Sequence, residues 1–233
     1  MIQQQIQPTL ARMTFRSLHK VTNVYSRFSL PVVSTGRSFA YYRRIFFDGK
    51  SSTRVLRQLQ DQRVLDIGCG LTPYVEDSMF QACRRAEVEF YGVDPKLEQG
   101  FTFGPFDRAM IRATGGGRVN PLAPGLDRGV AATADDLPFD DESVDLVISC
   151  YLLFAWIEDE SMLDSVFREF HRVLKPGGMV KIFPAPHFAV DQIRHSELRQ
   201  LMQSFAVEEE FYAGVRPATR FPPAYMRTMR KLK

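Results

Sequence analysis

Long apolar runs are missing from this chain. Nothing approaches the ~18 consecutive residues of a membrane-spanning helix, and the longest run, residues 151–157, is far too short. Cysteine is scarce: Cys69, Cys83 and Cys150 are the only three, odd in number and widely spaced. They form neither a disulfide framework nor a zinc-type spacing, so a reducing compartment is favoured and the cytoplasm is the expected location. Acidic residues are absent from the first 47 positions, where Arg12, Arg16, Lys20, Arg27, Arg37, Arg43 and Arg44 supply seven positive charges. The net charge of +3, less those seven, leaves the remainder at −4. Such a tract has three readings: a transit peptide for a mitochondrion or plastid, an attraction to an anionic substrate or membrane surface, or a solvated helical face. It lacks a run of basic residues, so a nucleic-acid footprint is weak.

What is present suits one folded α/β unit with an appendage. The 233 residues are 45% apolar and 24% charged, too apolar for disorder and ordinary for a globular domain. Residues 1–47 mix aromatics with the basic residues, and Pro31 with Ser34-Thr35-Gly36 divides them into two short helical pieces. Ser51 and Ser52 can cap a helix to about Gln60. Short strands are expected at 63–67, 88–93, 144–150 and 179–184, with closing strands at 207–212 and 224–229. Helices are expected at 75–85, 161–174 and 196–205. Residues 96–129 stand apart: three prolines and Gly115-Gly116-Gly117 leave only 106–112 helical in pattern, which predicts a long functional loop or lid. Strands alternating with helices argue for a mainly parallel sheet covered on both faces, with ligands beyond the carboxyl ends of its strands.

The residues that carry chemistry fall at those ends. In Val64-Leu-Asp-Ile-Gly-Cys-Gly70, Gly68 and Gly70 allow a tight turn and close approach of the backbone to a ligand. The third glycine of the dinucleotide pattern would fall at Pro73, which argues against a nicotinamide fingerprint. Twenty-four residues beyond Gly70 the second strand ends in Asp94, followed by Pro95. A carboxylate there can accept hydrogen bonds from adjacent ribose hydroxyls, or cap the next turn.

These segments are followed in order by Ala134-Asp-Asp-Leu-Pro-Phe139, Asp145-Leu-Val-Ile-Ser149 and Leu174-Lys-Pro-Gly-Gly178. Together they resemble the type 11 methyltransferase domain of the class I S-adenosylmethionine-dependent enzymes over residues 62–184. The resemblance implies a Rossmann-like α/β fold: a seven-stranded, mostly parallel sheet with helices on both faces and an antiparallel last strand. It implies S-adenosyl-L-methionine as cofactor, with Asp66 helping to hold its amino group and Gly68, Cys69 and Gly70 along its methionine and ribose portions. Asp94 would hold the ribose hydroxyls, with Pro95 beside it. Thr133, Ala134 and Asp135 fall at the adenine edge, and Cys150 and Tyr151 where donor and acceptor meet. Family members commonly carry an Asp where Thr133 stands, so a hydroxyl or Asp135 would serve the adenine amino group. On this reading residues 1–50 are a helical, basic and aromatic extension, a lid or a targeting segment, and 51–233 are the methyltransferase domain.

The activity implied is methyl transfer to an oxygen, nitrogen or carbon atom of a small-molecule acceptor of anionic or aromatic character. A sulfonium is already an activated donor, so alignment does most of the work. An acceptor that must lose a proton also needs a base. His187, just past the fifth strand, and Tyr151 are the catalytic candidates. Phe154 and Trp156 read as helix packing, and His171 and Lys175 as structural. Tyr41 and Tyr42 either close the acceptor pocket from the N-terminal side or belong to the core. No metal cluster is apparent, because Asp135, Asp136, Asp140, Asp141 and Glu142 read as solvated turn residues. Two rivals stay open: a non-catalytic S-adenosylmethionine-binding regulator, and a methyltransferase acting on protein or RNA. Nucleic-acid amino-methylating enzymes usually carry an Asn/Asp-Pro-Pro-Tyr/Phe motif after the fourth strand. Here Ser149-Cys-Tyr-Leu-Leu-Phe154 stands there, which disfavours a nucleic-acid partner.

Overall fold

The computed structural model describes residues 2–27, 36–97, 105, 108–109, 118–187, 192–213 and 222–233. Among them, seven strands form one sheet: β1 (Arg63–Ile67), β2 (Glu89–Val93), β3 (Gly129–Val130), β4 (Val144–Cys150), β5 (Leu174–Ala185), β6 (Phe205–Tyr212) and β7 (Ala224–Lys231). Their order is β3-β2-β1-β4-β5-β7-β6, and only β7 is reversed. This is the mostly parallel sheet with an antiparallel last strand that the resemblance implies. Strand order reverses between β1 and β4, where sheets of this kind open a crevice at their carboxyl edge. Because Ile67 pairs with Ser149 there, the chain leaves β1 at Gly68 beside the place where β4 ends at Cys150.

Central strands are covered on both faces and therefore read as apolar runs, not alternations. Val64, Leu65 and Ile67 in β1 and Leu146, Val147 and Ile148 in β4 follow that rule. Asp66 is the exception, a carboxylate with 0% exposure inside the run.

Helices α1 (Ile2–Arg27), α5 (Glu160–Val173) and α6 (Ser196–Met202) lie on one face, and α2 (Phe39–Phe46), α3 (Ser52–Gln58) and α4 (Met79–Arg85) on the other. In α5 the apolar positions Leu163, Val166, Phe167, Phe170 and Val173 make a single stripe that packs on Leu65, Val147 and Val180. Asp159 caps its first turn by accepting from the Ser161 and Met162 amides. At the other end Lys231 donates to the His171 and Leu174 carbonyls, each at 2.8 Å. In α2, Ser38 accepts from the Tyr41 amide, and Phe39, Tyr42, Ile45 and Phe46 are buried with Val64, Leu146 and Phe183 of the sheet. No helix among the described residues is long and apolar enough to cross a membrane.

Several local expectations change. Two helices do flank the 31–36 turn signal, but the first runs for 26 residues and is not short. The helix expected from residue 75 begins at Met79, because Ser78 caps it and Thr72–Tyr74 form a tighter turn ahead of it. The Lys175-Pro-Gly-Gly178 turn lies inside β5. That strand pairs from Leu174 onward, across a register shift that Gly177 accommodates at φ +82°. Phe154 and Trp156, expected to pack from a helix, lie instead in a series of turns over 151–157, in which Tyr151 and Phe154 hold φ of +64° and +62°. Within 96–129, Phe101, Phe103, Phe106 and Gly115-Gly116-Gly117 lie outside the described residues. Val119 bridges Val75, and Leu97, Val119 and Leu126 pack on Leu71, Tyr74 and Val75.

Candidate active site

The turn after β1 depends on its glycines. Gly68 and Gly70 take φ of +70° and +57°, a left-handed region that a Cβ disfavours. A Cβ on Gly68 would also stand 2.9 Å from the Leu152 side chain. Gly68→Ala should therefore cost about 1–2 kcal/mol, a Tm loss of roughly 2–8 °C. A thermal melt superimposable on that of the parent would contradict the account of this turn.

Asp94 locks this turn to the end of β2. Its Oδ2 accepts from the Gly70 amide at 2.9 Å and its Oδ1 from the Lys96 amide at 3.0 Å. It thus caps the turn that follows β2, and each oxygen keeps lone-pair capacity for a hydroxyl donor. Further along the carboxyl edge, Ala134 is buried while Thr133 and Asp135 are exposed. The α5 helix pins this loop. Glu169 accepts from the Leu137 amide at 3.0 Å, and Arg172 donates to the Leu137 and Phe139 carbonyls at 2.9 and 2.8 Å. Asp135 lines a cleft of about 530 Å³ with Trp156, Met162 and Ser165. A more apolar cavity of about 270 Å³ lies between α5 and α6, lined by Phe154, Leu163, Phe167 and Ile193.

Charged and phenolic groups gather where β1 and β4 end. Tyr42 donates its hydroxyl to Asp66 Oδ2 at 2.6 Å. The other oxygen, Oδ1, is buried with no hydrogen-bond partner among the described residues. Burial pushes the Asp66 carboxyl up to about 7, against the opposing pull of the Tyr42 hydrogen bond and the Arg37 charge. Arg37 is only 5% exposed. Its guanidinium carbon lies 4.5 Å from the Tyr151 ring centre and 5.3 Å from that of Tyr41. Burial also raises the Cys150 thiol to about 11 and pushes the Tyr151 phenol up. Tyr151 holds its left-handed backbone immediately after β4, the kind of outlier that collects at functional sites.

The structure therefore brings Asp66, Gly68, Cys69, Gly70, Cys150 and Tyr151 into one region, with Asp94 tied to it through Gly70. It adds Arg37, which the sequence shows only as one charge among seven, and gives Tyr42 a specific partner. No spacing rule links either residue to the turn. The only available signal is Arg37 and two tyrosines in a stretch that mixes aromatic and basic residues.

His187 is engaged on the other face. Its Nδ1 lies 2.7 Å from Glu209 Oε2, and its ring centre 5.1 Å from that of Tyr225. Glu209 also pairs with Arg227, a 2% exposed guanidinium that donates to the Pro186 carbonyl at 2.7 Å. Tyr225 belongs to the core beneath α5 and α6, whereas Cys150 belongs to the core beneath α2 and α4. Helix α1 reaches this edge too: Thr14 donates to the Pro223 carbonyl at 2.7 Å, and His19 Nε2 lies 3.0 Å from the Phe154 carbonyl oxygen. No group of His, Cys, Asp and Glu among the described residues is placed to hold a metal ion.

A family model described as a methyltransferase domain matches residues 65–182, half of the chain. The biotin biosynthesis bifunctional protein BioHC of Saccharophagus degradans is 32% identical over 119 residues, which cover 51% of this chain and 17% of that protein. Among solved structures, an S-adenosylmethionine-dependent methyltransferase from Archaeoglobus fulgidus is 16% identical with a TM-score of 0.44, covering 83% of this chain and 98% of that one. Another, from Mesorhizobium loti, is 21% identical with a TM-score of 0.41, covering 79% and 99%. Given a family match over half its length and a seven-stranded sheet of the implied architecture, the chain belongs to the class I S-adenosylmethionine-dependent methyltransferases, in the type 11 domain family, and uses S-adenosylmethionine as cofactor.

Proposed function

We propose that the chain transfers a methyl group to an oxygen, nitrogen or carbon atom of a small-molecule acceptor. The observation that carries this reading is the cover over the end of β4. Tyr41 and Tyr42 pack in one core with Cys150, Tyr42 donates to Asp66, Arg37 lies close to both Cys150 and Asp66, and α1 reaches Phe154 and Pro223. A small acceptor suits such an enclosure better than a nucleic-acid strand or a folded protein surface. The name of the Saccharophagus relative places that protein in biotin biosynthesis, which supports a small acceptor here. The buried Arg37, stacked on two phenol rings, favours an acceptor with an anionic or aromatic group. The three free, buried thiols suit the cytoplasm.

The residues present fit the donor. Asp66 Oδ1, buried and without a hydrogen-bond partner among the described residues, offers an acceptor to its amino group. Asp94 offers its remaining lone pairs to the ribose hydroxyls, with Pro95 beside it, and Thr133, Ala134 and Asp135 form the adenine edge. When bound, the cofactor supplies a methyl group already activated by its sulfonium. The protein's task is then alignment and exclusion of water. Burial keeps the Tyr151 phenol protonated through neutral pH, so it positions an acceptor by hydrogen bonding and does not act as a base.

The test is transfer of a radiolabelled methyl group to a panel of carboxylate, aromatic and neutral acceptors, protein and RNA. Transfer to anionic or aromatic small molecules is expected, and Arg37→Met should lower kcat/KM on anionic acceptors about tenfold or more relative to neutral ones. Labelling of protein or RNA alone would overturn the reading.

A further inference from the structure

We propose that Tyr42 is a positioning residue for cofactor binding: its hydroxyl engages one oxygen of Asp66 and so keeps the other, buried and without a hydrogen-bond partner among the described residues, as an ionised acceptor for the donor's ammonium group. The proposal rests on Asp66 serving that amino group. Tyr42 lies outside the matched residues 65–182, so the family signature says nothing of it.

The geometry is specific. Tyr42 is 1% exposed and its hydroxyl stands 2.6 Å from Asp66 Oδ2, a short charge-assisted contact. An ionised carboxylate enclosed in a protein core loses its hydration and needs compensation from fixed donors and charges. Asp66 has one hydroxyl on one oxygen, the Arg37 charge nearby and no hydrogen-bond partner among the described residues on the other oxygen, while Asp94 adds a like charge. The balance leaves the carboxyl titrating at about 7. An incoming ammonium would supply the missing partner.

The groups around Asp66 come from every element packed on it. The N-terminal segment supplies Arg37 and Tyr42, with Tyr41 beside Arg37; α4 supplies Cys83; the β1 turn supplies Cys69; the turn after β2 supplies Asp94; and β4 supplies Cys150. Burial raises Cys83 to about 12 and Cys150 to about 11, and pushes Cys69 and both phenols up as well. These thiols and phenols stay neutral near pH 7, and Arg37 stays charged.

The sign follows. Below about pH 7 Asp66 is protonated and offers no charge to an ammonium, so the donor binds weakly; above it the carboxylate is ionised and the donor binds tightly. Replacing Tyr42 by Phe removes a hydrogen bond that favours the charged form, which moves the Asp66 titration to higher pH. A residue that merely packs would change affinity equally at every pH.

The experiment is calorimetry of S-adenosylhomocysteine binding to the full chain, as parent, Tyr42→Phe and Asp66→Asn, from about pH 5.5 to 8.5, with circular dichroism to check folding. For the parent, Kd should weaken by up to about tenfold for each pH unit below the midpoint and level off above it. For Tyr42→Phe the midpoint should rise by about half a unit or more, with the two affinities converging at the alkaline end. The Asp66→Asn profile should be flat. A Tyr42→Phe midpoint equal to that of the parent, with or without a uniform loss of affinity, would overturn the proposal. A parent profile that is flat, or as steep in Asp66→Asn as in the parent, would overturn the assignment of the amino group to Asp66. No binding by the parent at any pH would overturn the donor site itself.

Discussion

Asp94→Ala is expected to weaken S-adenosylmethionine binding by about 1.5–3 kcal/mol, roughly ten- to a hundredfold. The carboxylate has two tasks, and the substitution removes both. In the free protein it accepts from the Gly70 and Lys96 amides, which holds the glycine turn against the end of β2. In the complex its remaining lone pairs would meet the ribose hydroxyls. The Asp94→Asn variant keeps one oxygen for the Gly70 amide but loses the charge, so it should fall between the two. Calorimetry on the folded variants decides, and an Asp94→Ala affinity within twofold of the parent would remove the ribose assignment.

A chain starting at Asp48 should fail to fold cooperatively. It loses Phe39, Tyr42, Ile45, Phe46 and Phe47, all buried against the sheet. At about 1.5–3 kcal/mol for each side chain, the loss is about 8–15 kcal/mol, as large as the whole stability of an ordinary domain. A chain starting at Gly36 keeps these residues, so it should fold and bind cofactor. Thermal melts of the two truncations give the answer. A cooperative transition for the Asp48 start near that of the full chain would show that α2 is dispensable. The prediction puts the edge of the folded unit ahead of Arg37, where the composition change alone suggests residue 50.

What was legible follows from how local each signal is. β1 and β4 are visible because strands buried on both faces must be continuously apolar, and Gly68 and Asp94 because the cofactor family demands them at strand ends. β3 has two residues, Gly129 and Val130, and takes its strand character only from pairing with Gly92 and Val93. No periodicity exists over so short a span. At Lys175-Pro-Gly-Gly178 local chemistry asks for a turn, and pairing of Leu174 with Val144 makes it a bulged strand. The contact of Tyr42 with Asp66 joins residues 24 positions apart on different elements, a relation that only packing can establish. His187 sits where its place after β5 predicts, but its partners Glu209 and Tyr225 come from β6 and β7, whose facing was not readable from β5 alone.

The central claim is that the donor lies across the Gly68–Gly70 turn between Asp66 and Asp94. A crystal structure of the full chain with S-adenosylhomocysteine tests it most directly. The account predicts the ribose hydroxyls on the Asp94 carboxylate, the amino group at Asp66 Oδ1 and the adenine edge beside Ala134. Ligand density in the cavity between α5 and α6, with Asp66 and Asp94 untouched, would contradict it.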